Sequence, residues 1–159
     1  MCTRRESATK ALTLIAAFAA QGQGKARGQS PQALTVPFEF ASGRGSLLIR
    51  ARVNRQSALL IMDTGSSHTI LRPSVAGVPS GDLGKPRTGA GVIGDAISQV
   101  VALELGQRTW PQRRVTVMDL SEPLSAYQEK IGGLLGLDFL LEFSQVVINL
   151  KESLVSFIP

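Results

Sequence analysis

The run Leu60-Ile61-Met62-Asp63-Thr64-Gly65-Ser66-Ser67 limits the folds open to this chain more than any other, because it sets a carboxylate directly behind an apolar strand. An ionised group in that position is costly unless hydrogen-bond donors receive it. Thr64, Gly65, Ser66 and the backbone amides of the turn are the donors at hand. Glycine tolerates positive φ and close backbone approach, so the chain can reverse at Gly65 and present Asp63 at the strand end rather than inside it. Asp63, with Thr64 and Gly65 beside it, is the first candidate for proton-transfer chemistry.

The surrounding sequence favours an all-β domain. Leu47, Ile49, Ala51 and Val53 alternate with Leu48, Arg50 and Arg52, and residues 54–57 turn the chain into the apolar run 58–62, a hairpin that delivers Asp63. Residues 68–71 continue extended, and 73–85, with its prolines and glycines, reads as a loop. Residues 100–105 and 114–118 are two more strands, with Gly106-Gln107 as the connecting turn. Residues 145–150 and 153–158 read as a closing hairpin around Lys151-Glu152, and one short helix is expected at about 138–143.

A second element gives the first its specificity. Leu134-Leu135-Gly136, followed by Leu137-Asp138-Phe139-Leu140-Leu141, is an apolar-apolar-glycine segment leading into the short helix. Asp63-Thr64-Gly65-Ser66 followed by Leu134-Leu135-Gly136, in that order, resembles the aspartic proteases, over roughly residues 34 to 158. Only one Asp-Thr-Gly or Asp-Ser-Gly occurs, there is no internal repeat, and 159 residues hold one such lobe and an N-terminal appendage rather than two lobes. The resemblance is therefore to the single-lobe, retropepsin-like branch, of a bacterial exported type.

That resemblance implies a single-lobe closed β-barrel with a flap hairpin and one short helix, active as a two-fold dimer. The second aspartate would come from a second copy, since a two-fold axis beside the turn sets the same residue of each subunit face to face. The implied reaction is hydrolysis of peptide bonds in a peptide or protein substrate, by water activated between two Asp63 carboxylates, with no cofactor and no metal. Like charges in contact resist double ionisation, so one proton is shared and the pair works as base and acid. By the same resemblance Thr64 braces the two turns across the axis, Gly65 faces substrate, and Ser66 bonds the outer oxygen of Asp63, with Leu134, Leu135 and Gly136 as supports. The glycine-rich stretch holding Gly89, Ala90, Gly91, Val92 and Ile93 would be the flap, whose tip must bend and bring its amides close to a substrate strand. The chain departs from retroviral-type members at Ser66-Ser67, which is the pepsin form, and at Ile131-Gly132-Gly133, where many members carry an acidic residue.

The N-terminus has a different composition. Arg4, Arg5 and Lys10 precede an apolar, alanine-rich run over residues 11–20, and Ala17-Phe18-Ala19 is a small-x-small cleavage candidate. Residues 1–22 thus read as a secretory signal peptide, 23–33 as a flexible linker and 34–159 as the protease-like domain, so the expected location is periplasmic or secreted. Thr3-Arg4-Arg5 also carries a twin-arginine trait, although Ser7 and Ala8 lack the bulky apolar residues of a good match. The apolar run is shorter than the roughly 20 residues a bilayer-spanning helix needs, so no stable membrane span is expected in the mature chain.

Cys2, the only cysteine, precedes that run, so the mature chain would have neither disulfides nor thiol chemistry. The formal net charge is +5, of which Arg4, Arg5 and Lys10 against Glu6 account for +2. The other basic residues are scattered and aromatics make up 5%, which leaves no stripe or stacking platform for nucleic acid. His68, the only histidine, lacks the clustered ligands of a zinc site and the Gly-x-Ser-x-Gly elbow of a serine hydrolase; it reads as a polar residue opening the next strand. Asp138 sits where an N-cap for the short helix is wanted, and Trp110, before Pro111, reads as a partly buried surface anchor. A non-catalytic module of the same fold, holding extended peptides by β-addition, is the alternative, and a small metal-dependent hydrolase stands a distant third.

Overall fold

Leu34, Val36 and Phe38 point inward and Thr35, Pro37 and Glu39 outward along β1 (Leu34–Phe40), the first strand of the computed structural model, which describes residues 32–79, 83 and 96–159. This strand was not among those expected. Pro37 interrupts the apolar alternation, and proline ordinarily demotes such a run. It is tolerated here near the strand's middle, where it pairs with Leu154 and the next amide, that of Phe38, donates to the Ser153 carbonyl. The stretch 1–31, which holds the expected signal peptide and most of the linker, lies outside the described residues, as do Gly89, Ala90, Gly91, Val92 and Ile93 of the expected flap.

The hairpin that delivers Asp63 forms as its alternation requires. Strands β2 (Leu47–Val53) and β3 (Gln56–Met62) pair up to Val53 opposite Gln56, leaving a two-residue turn. Asn54 and Arg55 take φ of 48° and 71° there, the reversal whose twist suits flanking strands. The Asn54 side chain fixes the turn against the rest of the lobe, accepting from the Ala102 amide at 2.9 Å and donating to the Ala76 carbonyl at 3.3 Å.

After β4 (Ile70–Leu71) comes α1 (Pro73–Ala76), one helical turn where a loop was expected. Its signal was in the sequence: Pro73 supplies the preset φ of a first helical residue and Gly77, at φ 78°, the left-handed stop. Among the described residues the lobe therefore has two short helices rather than the one expected. β5 (Ile97–Leu105) and β6 (Arg108–Val117) form the long hairpin across Gly106, then follow β7 (Ile131–Leu135), α2 (Leu137–Leu140), β8 (Gln145–Asn149) and β9 (Leu154–Ile158). The helix ends earlier than the expected 138–143.

The sheet order is β3-β7-β4-β6-β5-β2-β1-β9-β8, and a further β3–β2 pairing closes the first six strands into a barrel. Inward-pointing Ile49, Val53, Leu60, Leu71, Val101, Leu103, Val117 and Leu135 fill it, joined at one end by Phe139 and Phe157. Residues of opposite parity, Leu48 and Ile61, build a second core with Met118, Leu120, Leu124 and Ile131 on the barrel's other side. Burial of β3 on both faces explains why its sequence runs apolar without alternation just before Asp63.

Candidate active site

β3 and β4 are consecutive in the chain, yet β7 lies between them, parallel to β3 with Met62 opposite Leu135 and antiparallel to β4 with Ile70 opposite Leu134. Residues 63–69 therefore form a loop around the end of β7, and Asp63 opens that loop. Its amide donates to the Leu135 carbonyl at 3.0 Å, the Leu137 amide to Ser66 O at 2.8 Å and the Asp138 amide to Ser67 O at 3.2 Å. The two motifs read from the sequence thus meet, held by backbone bonds in both directions.

Glycine makes the approach possible. A Cβ at Gly136 would overlap the His68 carbonyl and come within 3.0 Å of Ser66 O, and one at Gly133 would overlap the Ile70 carbonyl. Gly65 differs from the expectation in that it is not at positive φ; a Cβ there would stand 3.1 Å from Asp63 Oδ1, a tight contact that would press on the carboxylate. Its amide donates to that oxygen at 2.8 Å, so the carboxylate folds back onto its own turn. Asp63 is half-buried, and Thr64 and Gly65 are exposed. Leu135 is fully buried in the barrel core, while Leu134 packs against the second core.

Two expected roles differ in the structure. The Ser66 hydroxyl donates to the His68 carbonyl at 2.7 Å rather than to Asp63, because that carbonyl lies two residues on in the same turn. Asp138 is not the cap of α2: the capping position is Gly136, with no side-chain cap bond. The close approach just described demands glycine there, which displaces Asp138 into the first helical turn. Its Oδ1 instead accepts from both the amide and the hydroxyl of Thr69, each at 2.7 Å. Thr69 is completely buried, and its oxygen receives the Gly136 amide at 3.4 Å.

Behind Asp138 stands Arg113, only 8% exposed, with its guanidinium 3.5 Å from Asp138 Oδ2, paired with Glu142, and 5.0 Å above the Phe139 ring. Trp110 is half-buried, as expected, edge-on to Phe139 and donating to Glu142 at 3.0 Å. A charged and aromatic brace therefore runs from β6 through α2 to the start of β4. Thr69 and Arg113 were not singled out from the sequence. A signal for Arg113 existed, since it shares strand parity with the inward-facing Val115 and Val117. His68 is exposed, and among the described residues no three His, Cys, Asp or Glu side chains gather as metal ligands would. Among the described residues, no helix is long and apolar enough to cross a membrane.

The arrangement offers a half-buried carboxylate with one oxygen held by an amide, on a turn that backbone bonds and steric contact keep in place. One such group can accept or give a proton, but not both at once.

The family model for aspartyl proteases matches residues 49–139, which include both motifs and the strands that join them. This chain belongs to the aspartyl protease family. Among solved structures, a retropepsin-like aspartic protease from Rickettsia conorii is 18% identical, with a TM-score of 0.52 over 79% of this chain and 90% of that one. The retroviral protease-like domain of Ddi1 from Leishmania major is 17% identical, with a TM-score of 0.41 over 72% of this chain and 92% of that one. No curated protein sequence is significantly similar. The aspartyl protease family thus accounts for the barrel and for the meeting of its two motifs, and the likeness to the Rickettsia structure shows the retropepsin-like fold of the lobe.

Proposed function

We propose that this chain is an aspartic endopeptidase that works as a homodimer, with the two Asp63 carboxylates facing each other across the two-fold axis. The observation that carries the reading is the Asp63 turn itself, a single acidic turn locked against Gly136 in a lobe of the aspartyl protease family. One lobe supplies one carboxylate, and the chemistry needs two. Of the pair, the ionised one takes a proton from a water held between them as the water oxygen attacks the peptide carbonyl carbon. The protonated one gives its proton to the carbonyl oxygen; the first carboxyl then passes the proton it took to the amide nitrogen as the second takes one back from a diol hydroxyl, so the carbon–nitrogen bond breaks, a carboxylic acid forms and the amine leaves neutral. Thr64 braces the paired turns and Gly65 faces the substrate backbone. Export to the periplasm or beyond is part of the proposal, supported by the basic, apolar and small-residue order of residues 1–22.

The test is peptide-library cleavage from acidic to neutral pH by the wild-type chain beside Asp63→Asn, at matched folding and dimer content. Internal cleavage should fall by about 10³-fold or more in the variant, the scale of lost general acid–base catalysis, and should not respond to a chelator. A folded dimer that binds peptides but cuts none would sink the enzyme reading and leave the peptide-binding module.

A further inference from the structure

Thr69 and Arg113 are the only buried polar side chains among the described residues, and Asp138 joins them. Arg113 occupies a strand position whose neighbours of the same parity, Val115 and Val117, fill the barrel. Its Nε is enclosed and has no hydrogen-bond partner among the described residues. A buried guanidinium with an unpaired donor is weak ground for stability, because desolvation offsets most of what its ion pairs return. What the side chain supplies is a fixed point on the barrel wall.

Three residues at α2 rest on that point. Asp138 and Glu142 pair with the guanidinium from either end of the turn, and the Phe139 ring lies beneath it. As a single turn, α2 is too short to hold its own position by helical hydrogen bonds, so tertiary contacts set it. The groups by which it grips the Asp63 loop move with it. The Leu137 and Asp138 amides reach Ser66 O and Ser67 O, and the Asp138 carboxylate receives both donors of Thr69. Upstream, the same loop is tied to β7 through the Asp63 amide. Its downstream half is framed by α2, and α2 by Arg113.

The exposure of the partners gives the arrangement a direction. The side chains of Asp138 and Glu142 are 27% and 40% exposed, against 7% for Arg113. Without the cation both carboxylates gain by turning to water, and Asp138 does so only by releasing Thr69. The guanidinium therefore keeps Asp138 inward, where its Oδ1 is needed.

Resting on the peptidase reading above, we propose that Arg113 is a positioning residue for Asp63, acting through Asp138 and Thr69 to hold the acidic turn where a second carboxylate must meet it. Misplacing a reacting group by about 1 Å lowers a rate by about a hundredfold. Slack in this frame is felt in turnover rather than in substrate binding.

The experiment compares wild type with Arg113→Met, Arg113→Lys, Asp138→Asn and the double variant Arg113→Met/Asp138→Asn, at matched dimer content and a temperature where each is folded. Val53→Ala, in the barrel at the closed end of the β2–β3 hairpin, controls for general destabilisation. Peptide cleavage gives kcat and KM, and hydrogen exchange by NMR gives the protection of the Thr69 amide. Arg113→Met should lower kcat by about ten- to a hundredfold with KM changed less than about threefold, and should speed Thr69 exchange by about tenfold or more. Arg113→Lys, a point charge that meets one carboxylate well but not two, should fall between. In the double variant the neutral amide has no charge to take to water, and its carbonyl oxygen still accepts from Thr69. Its kcat and its Thr69 protection should return to within about threefold of Asp138→Asn alone. A purely structural role gives no such recovery, because the second substitution removes another member of the ion pair. Val53→Ala should leave kcat unchanged.

The proposal is overturned by an unchanged kcat in Arg113→Met, by an equal loss in Val53→Ala, by unchanged Thr69 exchange, or by a double variant no better than Arg113→Met. The two readings fail separately. Asp63-dependent cleavage whose kcat ignores Arg113 removes the positioning role and keeps the enzyme. A wild-type chain that cuts no peptide, while Thr69 exchange still follows Arg113, removes the enzyme and keeps Arg113 as the residue that holds the turn.

Discussion

Around Asp63 every strand is held on both edges, β3 by β2 and β7, β7 by β3 and β4, whereas at the far end of the sheet β8 is held, among the described residues, on one. The first region is packed until it admits no added atom at Gly133 or Gly136; the second leaves Val147, Ile148 and Leu150 in water. The contrast separates two ways of specifying structure. Near the turn, position is fixed by backbone bonds and exclusion within one chain. At β8 the described strand has a neighbour on one edge, and part of its apolar surface faces water.

Substitution should expose this difference most strongly at its extremes. Gly136→Ala forces a methyl into the His68 carbonyl and should cost about 4 kcal/mol or more, while Leu150→Ser, on a side chain mostly in solvent, should stay within about 0.5 kcal/mol in the monomer. Urea denaturation of both variants at a concentration where the chain is monomeric reads the gap, and comparable losses would break the comparison. Next in size is the brace behind the turn. Asp138→Ala leaves the buried Thr69 amide and hydroxyl without an acceptor and Arg113 short of a counter-charge, a loss of about 2–4 kcal/mol. Asp138→Asn should recover part of it through its remaining carbonyl oxygen. Equal melting temperatures for wild type and Asp138→Ala would show that the brace is idle.

The smallest effect concerns acid. The Ser42 hydroxyl and amide beside Glu129 hold its carboxyl below the usual range, and the Ser121 hydroxyl and amide do the same for Asp119. A carboxyl lowered on folding stabilises the fold at pH above its unfolded value, and that contribution is lost as pH falls through the lowered folded value. Stability should therefore decline on the acid side, in the range where the aspartic protease reading expects activity. Glu129→Gln should flatten that decline slightly, and an acid limb unchanged between the two chains would discard Glu129 as a contributor.

Much of the barrel was legible because its strands carry one buried face and one wet one, as Ile49, Ala51 and Val53 do against Arg50 and Arg52. The Asp63 and Gly136 motifs were legible for a related reason: an acidic residue after an apolar strand and a glycine after two leucines are each unusual enough to demand an explanation. β1 escaped because Pro37 speaks against a strand locally and is overruled by pairing on both sides. Asp138 was misassigned because helix-capping statistics are local, whereas its real partner, Thr69, lies 69 residues away in sequence. The Ser66 hydroxyl followed the nearest carbonyl, a choice made by the turn's geometry and invisible to spacing.

The insertion of β7 between β3 and β4 also sets an order in time. Asp63 and its loop leave the ribosome well before the Leu135 carbonyl and the Gly136 backbone that hold the loop. Closing so distant a contact is slow compared with forming the neighbouring hairpins. A growing or truncated chain that ends before β7 therefore carries the acidic residue without the frame that aims it.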